Sequence, residues 1–211
     1  MDTATQTTKS WLALGDSYTI GEQVPLHESF PYQAMQLLRQ NTAGIENLRQ
    51  VFAAPEIVAK TGWTTDELNE HINKTSFLPS YDLVTLLIGV NNQYRGRNWY
   101  EFKIEFTHLL QRAIAFAGGN NKNVYVLSIP DWGVTPFAKD RDVQRIAAEI
   151  DKYNEQCKLV AEESECHYID ITASQRADGN NTDFLAGDGL HPNGKEYAKW
   201  AERLVSLILQ K

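Results

Sequence analysis

Short apolar runs alternate along the chain with segments in which apolar residues recur every three or four positions. Continuous or alternating apolar runs predict strands, whereas the three-to-four spacing predicts amphipathic helices. The predicted strands span residues 11–15, 48–55, 82–89, 123–130 and 167–171. The predicted helices span residues 30–41, 64–74, 99–117, 141–164 and 193–209. This alternation predicts an α/β fold in which helices cover both faces of a parallel five-stranded sheet.

The strength of the pattern varies between segments. The run "DLVTLLIG" at 82–89 is apolar on both faces, which is typical of a buried parallel strand, whereas the run at 48–55 is a weaker strand signal. The helix at 64–74 opens with Thr64 and carries Glu67 three residues later, a capping-box pattern. The longest segment without periodicity is 170–192, and loops of that length are usually functional or disordered.

The length of 211 residues suits one domain with a sizeable core. No internal repeat, low-complexity tract or linker interrupts the pattern, so we expect residues 1–211 to form a single domain. Residues 1–9 are polar and are expected to be a flexible tail. They also lack the apolar stretch of a secretory signal, so the default expectation is a cytoplasmic protein, although a chain whose export signal had been removed would look the same.

Charge and cysteine content exclude several classes of protein. The net charge of −7 and the pI of about 5.2 argue against nucleic acid as a main partner, because phosphate binding needs a basic face. Two cysteines are too few for a disulfide framework, and Cys157 falls on the apolar side of a predicted helix, where a buried thiol is expected. No apolar run approaches the length of a membrane span. The sequence does not predict an oligomeric state.

Three small or polar residues follow successive predicted strands. In an open α/β sheet, ligands bind at the carboxyl ends of the strands. Ser17 follows the first strand, Gly62 precedes the helix after the second, and Asn91 follows the third. Each has an ordinary interpretation as a cap or turn residue. Each also has a chemical one: a hydroxyl nucleophile, a backbone N–H for an anion, and an amide donor for an oxyanion.

The segment "AGDGLHPNG" before the last helix carries an acid and a histidine, Asp188 and His191, on a turn bounded by glycines. A serine hydroxyl is a poor nucleophile until a base removes its proton. Histidine suits that role, and a carboxylate on its other nitrogen fixes the tautomer and stabilises the imidazolium. One rigid turn can present both groups to Ser17.

With these residues assembled, the sequence resembles the SGNH or GDSL hydrolases, a family of esterases and lipases. "GDSY", "KTGWTT", "GVNN" and "DGLHP" are similar to four of its blocks, in order, over most of the chain. The resemblance implies Ser17 as nucleophile, His191 as base and Asp188 as the orienting acid. It implies an oxyanion hole formed by Ser17, Gly62 and Asn91. It also implies a three-layer, flavodoxin-like α/β/α sandwich that needs no metal or organic cofactor.

The sequence departs from the family pattern at one position. Members often carry an aspartate after the asparagine of the third block, whereas Asn92 stands there in this chain. Asn91 itself matches, so we expect activity to be retained and Asn92→Ala to have much less effect than Asn91→Ala.

These residues predict a serine esterase that cleaves small-molecule carboxylic esters through an acyl-enzyme. The sequence shows no apolar insertion that would form a lid for long lipid chains, which favours short acyl groups on dissolved esters. Four aromatic residues near predicted carboxyl-end loops are candidate substrate contacts: Trp63, Tyr94, Trp132 and Phe184. Relatives act on acetylated sugars, lysophospholipids and acyl thioesters, so a carbohydrate O-deacetylase, a lysophospholipase and a thioesterase remain open.

Three other interpretations are weaker. A metal site on Asp188 and His191 would need further ligands, but the other histidines lie on other predicted elements without ligand spacing. A flavodoxin-like module that binds a nucleotide would need a glycine-rich phosphate loop, which follows none of the strands. An inactive, binding-only relative would be expected to lack one of Ser17, Asp188 and His191, and all three are present.

Overall fold

The computed structural model describes residues 7–42 and 50–210. The strands are β1 (Thr7–Lys9), β2 (Trp11–Gly15), β3 (Gln50–Phe52), β4 (Glu56–Ala59), β5 (Leu83–Leu87), β6 (Val124–Leu127) and β7 (His167–Ile169). The helices are α1 (Ser17–Ile20), α2 (Phe30–Thr42), α3 (Thr65–Ile72), α4 (Val90–Tyr94), α5 (Trp99–Phe116), α6 (Val143–Glu163), α7 (Thr172–Asp178) and α8 (Gly194–Leu209). Short 3₁₀ turns complete the connections, including Trp132–Val134 and Pro136–Ala138 after β6.

The central sheet is parallel and has the order β4-β2-β5-β6-β7. Its inner strands β2, β5 and β6 are buried at every position, as continuous apolar runs require. Helices α2 and α8 pack together, and α5 packs between α3 and α6. The predicted α/β fold with a five-stranded parallel sheet flanked by helices is therefore confirmed.

The second predicted strand, 48–55, contains a strand, but that strand is not part of the central sheet. Residues 50–52 form β3, which pairs with β1 in a separate two-stranded parallel sheet, and residues 48–49 lie outside the described part of the chain. The strand beside β2 is instead β4, Glu56–Ala59. This edge strand has only one fully buried position, Val58, so it carries no continuous apolar run that periodicity could detect.

Two other expectations need correction. Residues 7–9 were expected to belong to a flexible tail but form β1, while residues 1–6 lie outside the described residues. The aperiodic segment 170–192 contains helix α7, whose buried positions are the polar residues Thr172, Ser174 and Gln175. A helix that buries polar side chains has no apolar stripe, so the sequence pattern did not reveal it.

Several local predictions hold. Thr64 is the N-cap of α3, and both hydrogen bonds of the capping box with Glu67 are present. The other predicted helices agree with α2, α5, α6 and α8 to within two residues at each end. Cys157 is fully buried, and this burial raises the pKa of its thiol. Among the described residues, no helix combines the length and apolar character that crossing a bilayer would require.

Candidate active site

The serine that follows β2 is held by a tight strand-to-helix turn. Ser17 is the first residue of α1, and Asp16 caps that helix by accepting a hydrogen bond from the Tyr18 N–H (3.1 Å). A Cβ at Gly15 would overlap the hydroxyl of Thr19, so the turn needs glycine there. The turn brings the Ser17 side chain to the carboxyl edge of the sheet, where parallel-sheet proteins bind ligands.

Ser17, His191 and Asp188 form one continuous line of hydrogen bonds. His191 Nε2 lies 3.0 Å from Ser17 Oγ, and His191 Nδ1 lies 2.6 Å from Asp188 Oδ2. Burial raises the pKa of Asp188, but hydrogen bonds from the His191 ring and from the backbone N–H groups of His191 and Leu190 outweigh it and hold the pKa below its ordinary value. Asp188 is therefore kept ionised beside the imidazole.

The loop that carries the acid and the histidine is fixed by its own backbone. Asp188 Oδ1 accepts the N–H groups of Leu190 and His191, both at 3.0 Å. The Ala186 N–H donates to the carbonyl of His191 (2.8 Å), and Gly189 has a left-handed φ of +66°. A turn closed in this way presents both side chains with little freedom.

Two more groups predicted for the site line the same cavity as the histidine. Gly62 has a φ of +84°, a conformation that favours glycine, and it borders the same cavity as Ser17 and Asn91. Asn91 Nδ2 donates one hydrogen to the Trp63 carbonyl (3.0 Å), which leaves its second hydrogen for another acceptor. Within the described residues, the N–H groups of Ser17 and Gly62 have no acceptor. Three donors are thus available around one cavity.

The sequence of residues 13–199 matches the model of the GDSL-like lipase/acylhydrolase family. The chain belongs to this family. It is accordingly a hydrolase of carboxylic esters. No curated protein matches the sequence of this hydrolase at a significant level.

Solved structures share the fold of the hydrolase at low sequence identity. A lipolytic protein of the G-D-S-L family from Veillonella parvula is 20% identical, with a TM-score of 0.68 over 97% of this chain and 100% of that one. Axe2, an acetylxylan esterase from Geobacillus stearothermophilus, is 17% identical, with a TM-score of 0.69 over 95% and 94%. The psychrotrophic esterase EstA from Pseudoalteromonas sp. is 16% identical, with a TM-score of 0.64 over 96% and 97%.

The cavity of the hydrolase holds about 200 Å³ beside the serine, and its walls are mainly apolar. Of the four aromatic residues predicted as substrate contacts, Tyr94 and Trp132 line it. The other two do not: Trp63 packs against the His71 ring (4.6 Å between centroids), and the Phe184 ring lies under the Lys199 ammonium (3.7 Å).

Three apolar lining residues were missed by the sequence reasoning: Val90, Phe137 and Leu190. Phe137 lies in the loop after β6, and the rule that ligands bind at the carboxyl ends of strands could have selected it. Its backbone N–H donates to the Gly189 carbonyl (3.1 Å), which ties this wall to the histidine loop. Leu190 adjoins His191, so position alone could have identified it.

Asn92, the position that departs from the family pattern, takes part in a buried hydrogen-bond network. Its side chain is fully buried, accepts the Thr65 N–H (3.1 Å) and donates to the Thr65 hydroxyl (2.6 Å). Asn92→Ala would leave the buried Thr65 N–H unpaired, and such a loss typically costs about 1–3 kcal/mol of stability. The expectation that Asn92→Ala lowers activity much less than Asn91→Ala stays a prediction.

Asp16 is a further unusual group that the sequence reasoning did not single out. It directly precedes Ser17 and is fully buried, and Oδ2 of its carboxyl has no hydrogen-bond partner among the described residues. Desolvation by burial raises its pKa to about 7. The carboxyl therefore titrates near neutrality within one residue of the proposed nucleophile.

Proposed function

We propose that the chain is a serine esterase that cleaves small-molecule esters through an acyl-enzyme intermediate, with all of residues 1–211 forming one domain. The single observation that carries this proposal is the unbroken line from Ser17 Oγ through His191 to Asp188, with distances of 3.0 and 2.6 Å. Histidine in this position removes the proton as the serine attacks the ester carbonyl and returns it to the leaving alcohol. The ionised Asp188 stabilises the imidazolium that forms between these steps.

The oxyanion of the tetrahedral intermediate is held by three donors in this proposal: the N–H groups of Ser17 and Gly62 and the side-chain amide of Asn91. Support comes from their position around one cavity and from the free hydrogen on each donor. Donors held in place before the reaction stabilise the charge that develops in the transition state without reorganising. Water then attacks the acyl-enzyme: His191 takes the proton of the water and returns it to Ser17 Oγ as the acid product leaves.

The substrate is proposed to carry a short acyl group. The cavity of about 200 Å³ is walled by aromatic side chains that brace one another, since Tyr94 lies edge-on to Trp132 with 5.2 Å between ring centroids. Trp132 is fixed further by its indole N–H, which donates to Gln93 (2.7 Å). Each buried methylene contributes about 0.8 kcal/mol, so the gain should stop once the acyl group fills this space.

An activity profile on p-nitrophenyl esters with acyl chains from two to sixteen carbons tests this proposal. We expect kcat/KM to be highest between acetyl and butyryl and to fall beyond. The bulky variant Val90→Phe narrows the cavity and should shift the maximum toward acetyl, whereas the exposed Leu159→Phe serves as a matched control. A maximum at eight carbons or more, or a rate increase above the micelle concentration, would contradict the short-acyl assignment.

A second candidate within the same chemistry is the deacetylation of carbohydrates. Tyr94 and Phe137 line the cavity yet remain about half exposed, at 48% and 45%. Exposed rings at a site entrance suit stacking against the apolar face of a sugar. Axe2, which shares the fold, is an acetylxylan esterase. Release of acetate from acetylated xylo-oligosaccharides, compared with p-nitrophenyl acetate, would distinguish this substrate from a simple ester. Lysophospholipid and thioester substrates belong in the same screen.

A further inference from the structure

A largely buried hydrogen-bonded cluster, formed by Thr65, Asn92 and Glu105, adjoins two of the proposed oxyanion donors along the chain. Thr65 and Asn92 are completely buried. The amide of Asn92 bonds to the backbone N–H of Thr65 (3.1 Å) and to its hydroxyl (2.6 Å), and that hydroxyl also bonds to the carboxylate of Glu105. The cluster therefore joins the start of α3, helix α4 and helix α5.

The donor and the acceptor of each hydrogen bond in this cluster are fixed. A backbone N–H can only donate, so the oxygen of the Asn92 amide faces the Thr65 N–H and its NH₂ group faces the Thr65 hydroxyl. The hydroxyl must then accept from Asn92 and donate its one hydrogen to Glu105. Asparagine at 92 and a carboxylate at 105 are a matched pair, because one hydroxyl cannot donate to two acceptors.

The two elements joined by this cluster carry two of the proposed oxyanion donors. Thr65 lies three residues after Gly62, and Asn92 directly follows Asn91. Bonds nearer the solvent join the same segments: Asn91 donates to the Trp63 carbonyl (3.0 Å), and Arg95 donates to the Gly62 carbonyl (2.6 Å) from a partly exposed position. The two bonds between Asn92 and Thr65 are the fully buried link.

We propose that Asn92, paired with Glu105 through Thr65, is a positioning residue that sets the distance between the Gly62 N–H and the Asn91 amide. This inference rests on the oxyanion hole of the proposed function. It assigns Asn92 no contact with substrate. A shift of the α3 segment against α4 would misplace one donor relative to the other, and misplaced donors lose transition-state stabilisation rather than substrate affinity.

The pairing predicts an unusual pattern of substitutions. Asn92→Asp changes almost no volume, but the new carboxylate and Glu105 then compete for the single hydrogen of the Thr65 hydroxyl. Glu105→Gln in the same chain removes the competition, because the new amide can donate to the hydroxyl oxygen while the hydroxyl donates to the carboxylate at 92. Glu105→Gln should therefore restore part of the kcat that Asn92→Asp removes.

The test measures kcat and KM on p-nitrophenyl acetate, together with the unfolding midpoint, for wild type, Asn92→Asp, Glu105→Gln and the double variant. Asn92→Asp should lower kcat about tenfold with KM changed less than about twofold, and the double variant should recover at least about threefold of this loss. Glu105→Gln alone should lower kcat less than Asn92→Asp does. The exposed Asn120→Asp, which introduces the same carboxylate outside the site, is the matched control.

If Asn92→Asp does not fold, a folded and active double variant supports the pairing, and a double variant that also fails overturns it. The pairing is also overturned if the double variant is no more active than Asn92→Asp. The same holds if Asn92→Asp hydrolyses the ester at the wild-type rate. Failure of the proposed function looks different: the wild type itself would show no hydrolysis that depends on Ser17.

Discussion

Each of the three residues in the hydrogen-bonded line of the site has a different local support. Ser17 is positioned by a turn that needs Gly15, and Asp188 is held ionised by two backbone N–H groups and the imidazole. His191 is enclosed between them, with the Tyr18 ring 5.0 Å from its own. These supports explain how a short segment, "DGLHP", can present an acid and a base together.

At Asn91 we expect a loss confined to the chemical step. Removal of one oxyanion donor typically lowers kcat about 10²–10³-fold, because the bond strengthens as charge develops on the substrate oxygen. Asn91→Ala should therefore lower kcat by this amount with little change in KM, measured on p-nitrophenyl acetate. Asn41→Ala, on the exposed surface of α2, is the control. A raised KM at an unchanged kcat would show instead that Asn91 only binds substrate.

At Asp16 the prediction concerns stability against pH. The folded protein holds this proton up to about pH 7, whereas an ordinary aspartate releases it near 3.8. Between these values the folded state binds more protons, so this group's contribution to stability falls as the pH rises. Asp16→Asn keeps an acceptor for the Tyr18 N–H and removes the titration.

The measurement for Asp16 is urea unfolding of both proteins at pH 4 and pH 8. The stability of Asp16→Asn relative to wild type should increase between these values by on the order of 4 kcal/mol, because the raised pKa spans about three pH units at about 1.4 kcal/mol each. A difference in packing between Asp16→Asn and wild type would change the stability equally at both pH values, so it would not produce this increase. An unchanged difference would show that the folded Asp16 carboxyl titrates as it does in the unfolded chain.

At the scale of elements, the sequence predicted best those strands and helices that bury apolar side chains. β5 was found because all of its positions are buried and four of the five are apolar, whereas β4 was missed because it is an edge strand with one buried residue. Helix α7 was missed because the side chains it buries are polar. The residues predicted for the triad do meet in space, because the carboxyl ends of parallel strands share an edge. The apolar lining of the cavity was harder to predict. Phe137 and Leu190 reach the cavity through loop conformations, and loops carry no periodic signal.

The start of α3 is the element on which both Gly62 and the buried cluster depend. Thr64 caps this helix, and the Glu67 side chain accepts the Thr64 N–H (2.9 Å). Thr64→Ala should lower the free energy of unfolding by about 1–2 kcal/mol, because the cap satisfies a backbone donor that is otherwise unpaired. Chemical denaturation measures this loss, and Thr64→Ser, which keeps the hydroxyl, should retain most of the stability. Equal stability of the Ala and Ser variants would rule out a capping role.

At the scale of the whole molecule, the site is assembled from distant parts of the chain. The bond between Ser17 and His191 joins residues 174 positions apart, and loops after β2, β4, β5 and β6 form the rest of the cavity. Packing of α8 against α2 joins two helices that lie far apart in the sequence. Folding of the entire sheet is therefore a condition for the arrangement, which no segment could form alone.

The most direct test of the account is hydrolysis of p-nitrophenyl acetate by Ser17→Ala, with Ser206→Ala on the exposed side of α8 as control. Removal of the nucleophile should lower kcat by at least about 10⁴-fold, whereas the control should retain the wild-type rate. The unfolding midpoints of both variants should stay close to that of the wild type, because a methyl group replaces only a small hydroxyl. Hydrolysis by folded Ser17→Ala at the wild-type rate would contradict the central claim that Ser17 is the nucleophile.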